Sequence, residues 1–355
     1  MSVALPISAQ VDIRPDAITG PRDIRAVKTL RISVTDRCNF RCVYCMPEER
    51  IEWAPREGLL TFEEIGRVAA VAVGFGITGF KITGGEPLVR QDLVRLVALL
   101  RGLPGVTDLS MTTNGALLDR HAGSLRSAGL DRLTVSLDTL HRERFRRITR
   151  GAEIEWVWRG IEAAIAAGFR HPKINCVAMR GINDDEFADF AALTKETDVT
   201  VRFIEYMPLG RTALGGDYQA RFIGEEEIRG RITRRLGRLI PAAKDSGHGP
   251  AAVWRLEGAI GKVGFISAMT KPFCATCNRL RLTAEGQLRS CLFDGGEVEL
   301  APILRGSPPA GLRVERPGVE QEPGDRLRDA FIRCVSFKPQ VHSYHGNRQM
   351  SQIGG

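Results

Sequence analysis

Cys38-Asn39-Phe40-Arg41-Cys42-Val43-Tyr44-Cys45 follows Thr29-Leu30-Arg31-Ile32-Ser33-Val34-Thr35 after only Asp36 and Arg37. The leading stretch alternates apolar and polar residues and is β-branched, so it reads as a strand. The cysteines then fall in a C-x-x-x-C-x-x-C spacing at that strand's C-terminal end. Three thiolates are one fewer than a closed structural zinc site or a fully ligated iron–sulfur cube takes. A cube on three thiolates leaves one iron open to a ligand that is not protein, and an open position is where a metal site does chemistry.

Downstream, Thr61 and Glu64 stand in capping-box spacing. Phe62, Ile65, Val68, Ala69, Ala72 and Val73 then recur with helical period. Further strands are predicted at 79–83, 108–113, 132–137, 173–179 and 200–206. Helices are predicted at 88–100, 117–128, 154–167 and 184–197, with a basic, partly helical piece at 141–150. Six strands separated by helices predict an α/β fold, a partial, open parallel β/α barrel of about six βα units. Six units fall short of the eight that close a full barrel. Polar and glycine-rich signals end nearly every strand: the cysteine loop, Gly84-Gly85-Glu86-Pro87, Thr112-Thr113-Asn114-Gly115, Ser136-Leu137-Asp138 and Tyr206-Met207-Pro208. In α/β barrels the active site is assembled at that edge.

Past residue 210 the pattern changes to a C-terminal α+β extension. A basic helix is predicted at 225–236, strands at 253–256 and 263–268, a hairpin over 280–292 turning at Gly286, and a helix at 326–335. The Pro-rich 306–323 reads as an exposed loop. The expected organisation is an N-terminal arm over 1–26, the barrel over 27–210 and the extension over 211–355.

The chain has 355 residues, 43% hydrophobic and 26% charged, with net charge +8. The longest mostly apolar run, 68–80, holds three glycines and is too short to span a bilayer. No basic-then-apolar leader is visible, so a reducing, cytoplasmic setting without membrane is expected. The charge fits either a plain basic surface or a polyanionic ligand. Eight cysteines in a reducing compartment argue against a disulfide framework. Cys176 and Cys334 stand alone and read as small buried hydrophobes.

The other three form a second triad, Cys274, Cys277 and Cys291, around Asn278-Arg279-Leu280-Arg281. Arginines two apart on a strand share a face. Beside an open iron their guanidinium forks suit phosphate oxygens. Structural zinc at either triad, and a fully ligated second cluster using Cys334, remain alternatives on spacing alone.

CNFRCVYC after a strand resembles the cluster motif of the radical S-adenosylmethionine (SAM) enzymes. The stretches LRISVTDRCNFRCVYCMP, KITGGEPLVR, MTTNG, TVSLD, KINCV, GINDDE, VRFIEYMP, FCATCNRLRL, GQLRSCLF and the terminal MSQIGG, in order from residue 30 to the end, resemble the GTP 3′,8-cyclases of molybdenum cofactor biosynthesis. The resemblance implies two [4Fe–4S] clusters, one on Cys38, Cys42 and Cys45 and one on Cys274, Cys277 and Cys291. It implies SAM contacts at Tyr44, Gly85, Ser136 and Met207. It implies GTP contacts at Arg31, Lys81, Thr112, Lys173, Arg279, Leu280 and Arg281, with Arg202 a further candidate. Arg31 and the tail glycines Gly354 and Gly355 are expected in catalysis. The implied reaction converts GTP to (8S)-3′,8-cyclo-7,8-dihydro-GTP. The implied partners are an electron donor and the cyclic pyranopterin monophosphate synthase that follows in the pathway; a homodimer is left open and no nucleic acid is expected. Two rivals stand beside this reading. One is a radical SAM enzyme with an auxiliary cluster that modifies a peptide, and the other is a zinc-dependent nucleic-acid-binding protein.

Overall fold

The computed structural model describes residues 21–49, 51–215, 217–244, 247–293, 296–306, 322–343, 346 and 348–354. Most of the expected arm, most of the Pro-rich loop and Gly355 therefore lie outside the described residues. The strands β1 (Thr29–Ser33), β2 (Gly79–Thr83), β3 (Asp108–Thr113), β4 (Arg132–Ser136), β5 (Lys173–Ala178) and β6 (Thr200–Glu205) form in the expected order. The helices α1 (Phe62–Gly74), α2 (Leu93–Arg101), α3 (Leu118–Ser127), α4 (Arg142–Thr149), α5 (Ile154–Ala166) and α6 (Phe187–Glu196) separate them. The Thr61–Glu64 capping box is present in both directions. The helix expected from residue 88 starts later: Pro87–Val89 is a 3-10 turn, and Asp92 adopts a left-handed conformation (φ 57°) before α2.

Three elements follow: α7 (Tyr218–Arg221), α8 (Glu225–Leu236) and β7 (Leu239–Pro241). Next come β8 (Ala252–Leu256), β9 (Lys262–Ile266), β10 (Arg279–Leu282), β11 (Gln287–Arg289) and β12 (Glu297–Glu299). The chain ends in α9 (Ala301–Leu304), α10 (Pro323–Ser336) and α11 (Met350–Ile353). All twelve strands join one sheet in the order β12-β11-β10-β1-β2-β3-β4-β5-β6-β9-β8-β7. β10 runs parallel to β1 and β9 parallel to β6. The extension thus adds one parallel strand at each edge of the six. Each added strand then pairs with an antiparallel neighbour instead of the other, which leaves the barrel open.

Parallel strands covered by helices usually read as nearly continuous apolar runs. These alternate. Leu30, Ile32, Phe80, Ile82, Leu109, Met111, Val135, Ile174, Val201 and Phe203 are buried in the hydrophobic core. Arg31, Lys81, Thr112, Thr134, Lys173 and Arg202 take the opposite face and line a cavity. Period-2 geometry forces this division. Cys176 and Cys334 are both buried in the core, as their isolation in sequence suggests.

Several basic residues of α8 are taken up locally. Arg231 pairs with Asp184 and Glu227, Arg235 with Asp189, and Arg229 lies 3.7 Å over the Trp254 ring. Among the described residues, no helix is long and apolar enough to cross a membrane.

Candidate active site

A single cavity of about 340 Å³ is lined by all six triad cysteines. The first triad sits on the loop after β1. Phe40 anchors that loop edge-on against Phe145 of α4, centroids 5.8 Å apart. Backbone bonds from Arg41 to Thr149 (3.1 Å) and from Val43 to Ile148 (2.9 Å) dock it on the end of α4. Arg41 donates to the Cys38 carbonyl, and Arg150 donates to the carbonyls of Arg41 and Pro47. The loop's shape is therefore fixed by guanidinium bonds to its own backbone.

Burial pushes the Cys38 thiol up to about 11, with Glu86 adding to it, and the Cys45 thiol up to about 12, with Cys38 adding to it. Cys42 is raised as well, by burial first. Three half-buried thiols that resist ionisation fit a group whose positive charge compensates three thiolates. Among the described residues, no three His, Cys, Asp or Glu side chains are arranged to hold a single metal ion. A cube differs from one ion in having its protein-bound irons at separate corners.

Gly85 has a tight reason to be glycine. A Cβ there would lie 2.4 Å from the Arg37 carbonyl oxygen and 2.5 Å from that of Asp36. The GGEP loop abuts the approach to the cysteine loop, and Gly85 N–H donates to Thr35 O at 2.7 Å. The resemblance implied a SAM contact at Gly85. The close approach seen is between two loops of the chain, although Gly84 and Gly85 both also line the cavity. Tyr44, Ser136 and Met207 line it too. The Tyr44 hydroxyl bonds Asp138, whose carboxyl is raised to about 6 by burial against the opposing Val177 and Tyr44 bonds.

Register decides the basic wall. Arg281 of β10 is level with Arg31 of β1, and Arg31 with Lys81 of β2. Burial lowers the pKa of all three, and repulsion among the neighbouring cations lowers it further. Arg281 comes down to about 9, and Arg202 to about 10 through burial and Arg132. Thr112 Oγ1, Asn175 Oδ1 and Arg202 Nε are buried with no hydrogen-bond partner. Half-buried cations and orphaned polar atoms facing one cavity fit a polyanionic ligand carrying its own acceptors and donors. Lys173, at the start of β5, also lines this wall.

In the second triad, Cys274 opens a 3-10 turn that Cys277 caps, and Cys291 follows β11. Burial would raise Cys277, but Arg279 and Lys338 outweigh it and bring the thiol down to about 7. Arg279 stacks 5.0 Å from the Phe273 ring centroid. Cys334 bonds the Leu288 carbonyl at 3.4 Å and does not line the cavity, so it is not a fourth ligand. Leu280 points its side chain into the core between Arg279 and Arg281. Only its backbone remains available as a contact.

Among the described residues the tail reaches Gly354. Gly346 N–H donates to Pro208 O (3.0 Å) and Gly210 N–H to Gly346 O (3.2 Å), which guides the chain along the loop after β6. Ser351 and Ile353 are buried, and Met350 and Ser351 line the cavity. Gly354 itself packs against Thr83 and Ser33.

Several supporting residues have little sequence signal. Glu86 is wholly buried and accepts bonds from Leu88 N–H (3.0 Å), Thr113 Oγ1 (2.7 Å) and Asn114 N–H (2.6 Å). Asn114 Nδ2 reaches Cys38 Sγ at 3.8 Å. Their places at strand ends were the available clue. Lys338 and His342 lie beside the second triad, in a stretch without a motif.

Residues 32–194 match the Radical SAM superfamily and residues 199–316 match Molybdenum Cofactor Synthesis C. The chain is 46% identical over 335 residues to the GTP 3′,8-cyclase of Moorella thermoacetica, covering 93% of this chain and 98% of that one. Against the GTP 3′,8-cyclase of Heliobacterium modesticaldum it is 48% identical over 340 residues, with the same coverage. The chain belongs to the GTP 3′,8-cyclase family. Membership sets aside both the peptide-modifying and the zinc-dependent readings. Streptococcus suis SuiB bound to precursor peptide SuiA superposes with a TM-score of 0.53 at 14% identity, over 75% of this chain and 60% of that one. At that identity the likeness is one of fold.

Proposed function

We propose that this chain converts GTP to (8S)-3′,8-cyclo-7,8-dihydro-GTP, the first step of molybdenum cofactor biosynthesis. The observation behind it is one cavity bounded by two cysteine triads and a wall of half-buried cations. When bound, a [4Fe–4S] cluster on Cys38, Cys42 and Cys45 together with SAM supplies a 5′-deoxyadenosyl radical that removes the 3′ hydrogen of GTP.

The chain's own residues position and shield the reactants, so no conventional general base is required. Tyr44, Gly85, Ser136 and Met207 hold SAM near the first triad. Cys274, Cys277 and Cys291 would hold the second cluster, whose open position would offer a contact for the guanine. Arg31, Lys81, Lys173, Arg279 and Arg281 neutralise the polyphosphate, with Thr112 as a hydroxyl contact and Leu280 through its backbone. Arg202 joins that wall. Arg31 and the Gly354-Gly355 tail complete the catalytic arrangement. Residues 27–210 form the radical SAM partial barrel and 211–355 the region of the second cluster and the tail, and the GTP contacts come from both.

The enzyme works in the cytoplasm, takes an electron from a reductant partner and passes its product to cyclic pyranopterin monophosphate synthase. The test is anaerobic reconstitution, reduction and incubation with SAM and GTP, with products read by mass spectrometry. A cyclised dihydro-GTP formed with 5′-deoxyadenosine is expected. SAM cleavage with GTP recovered intact would overturn the assignment.

A further inference from the structure

Lys338, two residues past α10, is 1% exposed. A lysine is rarely buried unless its ammonium is paired. Nζ donates to Cys277 Sγ at 3.5 Å and to the Ser290 carbonyl at 3.3 Å. Neither partner is a carboxylate, and Ser290 immediately precedes Cys291. Arg22 Nε donates to the Lys338 carbonyl at 2.9 Å and fixes its backbone from the other side.

Four residues on, the His342 backbone N–H donates to the Cys274 sulfur. The His342 ring stacks on Phe293 with centroids 4.2 Å apart, and its Nε2 lies 2.8 Å from Ala268 O. Residues 338–342 thus meet every cysteine-bearing turn of the second triad. Hydrogen bonds to ligating sulfurs and nearby charge are what tune an iron–sulfur cluster's reduction potential.

We propose that Lys338 is a positioning residue of the second cluster, its ammonium donating to the Cys277 thiolate and stabilising the cluster's reduced state. This rests on the reading that Cys274, Cys277 and Cys291 hold a [4Fe–4S] cluster. Each added electron increases the negative charge on the cluster and its thiolates. A buried cation at hydrogen-bond distance from one of those sulfurs favours that charge, and a low-dielectric setting strengthens the effect. A lysine that only filled space and bonded the Ser290 carbonyl would not act on the potential through its charge.

The test uses the full chain with Cys38, Cys42 and Cys45 changed to Ser, so that only the second cluster is read. Iron and sulfide are measured, and a reductive titration is followed by electron paramagnetic resonance. The background is expected to hold about four irons. Lys338→Met is expected to move the midpoint potential to more negative values or to lose the cluster, while Lys338→Arg stays near the parent in both. An unshifted potential and full iron in Lys338→Met would overturn the proposal, as would Lys338→Arg failing to the same degree as Lys338→Met. A background without iron would instead overturn the cluster assignment, and the proposal with it.

Discussion

Arg281 donates a hydrogen bond to the carbonyl of Gly354, joining β10 to the second-last residue of the chain. The two are 73 positions apart in sequence. Arg281 is also level with Arg31, so the tail is tied to the row of cations that the GTP reading depends on. Gly354 holds φ +70°, and a Cβ there would sit 2.3 Å from Thr83 Oγ1 and 3.1 Å from Ser33 Cβ. The position excludes a side chain both by conformation and by space.

Gly354→Ala is therefore expected to displace the tail and slow cyclisation about 100-fold, the scale of a small misplacement at a reacting centre. Iron content should stay that of the parent. Removing Gly354 and Gly355 together should abolish turnover with both clusters still assembled. Product formation and iron analysis on the same preparations decide it; parent-like rates in either variant would refute the role of the tail.

Arg202 is desolvated inside a set of like charges, held down at about 10 by burial and Arg132. Arg202→Met relieves that repulsion at similar length. The nucleotide-free protein is expected to gain about 2–4 °C in thermal midpoint. GTP binding should weaken about 10- to 100-fold, the worth of one charged hydrogen bond. Calorimetric titration and a melting curve read both quantities, and unchanged GTP affinity would remove Arg202 from the site.

The two triads should separate in an iron count. Cys42→Ser is expected to lower iron from about eight to about four per chain and to abolish SAM cleavage. Cys277→Ser should also leave about four irons, yet keep reductive SAM cleavage while losing cyclisation of GTP. Equal loss of SAM cleavage in both variants would contradict the division of labour.

Glu86 joins the ends of β2 and β3 through three accepted bonds. Glu86→Ala strands the Leu88, Thr113 and Asn114 donors in a buried position and is expected to cost on the order of 3 kcal/mol. The variant should unfold at lower urea concentration and bind the first cluster less firmly, since Asn114 reaches Cys38. A urea midpoint equal to the parent's would show that the donors find other partners.

Much of the fold is legible because its elements are long and periodic. β2, β3 and α8 have the predicted limits, since each is bounded by clear turn or capping signals. β7, β12, α7, α9 and α11 have three or four residues each, too few to show a period, and they are held by pairing and packing with distant segments. Lys338 was not legible for a related reason. A lysine after a helix reads as solvated, and only the approach of Cys277 makes it a buried donor.

The sequence by itself determined two three-cysteine sets, the parallel βα order that brings strand ends to one edge, and the family. Local spacing and hydrophobic period suffice for these, because they depend on neighbours along the chain. Tertiary structure decided that both triads open on one cavity, that Arg281, Arg31 and Lys81 align across three strands, and that Gly354 reaches Arg281. It also added β9 and β10 at the two edges of the six-stranded sheet. Those outcomes rest on register and on contacts between residues far apart in sequence, where a shift of one position would turn each inward cation toward the core.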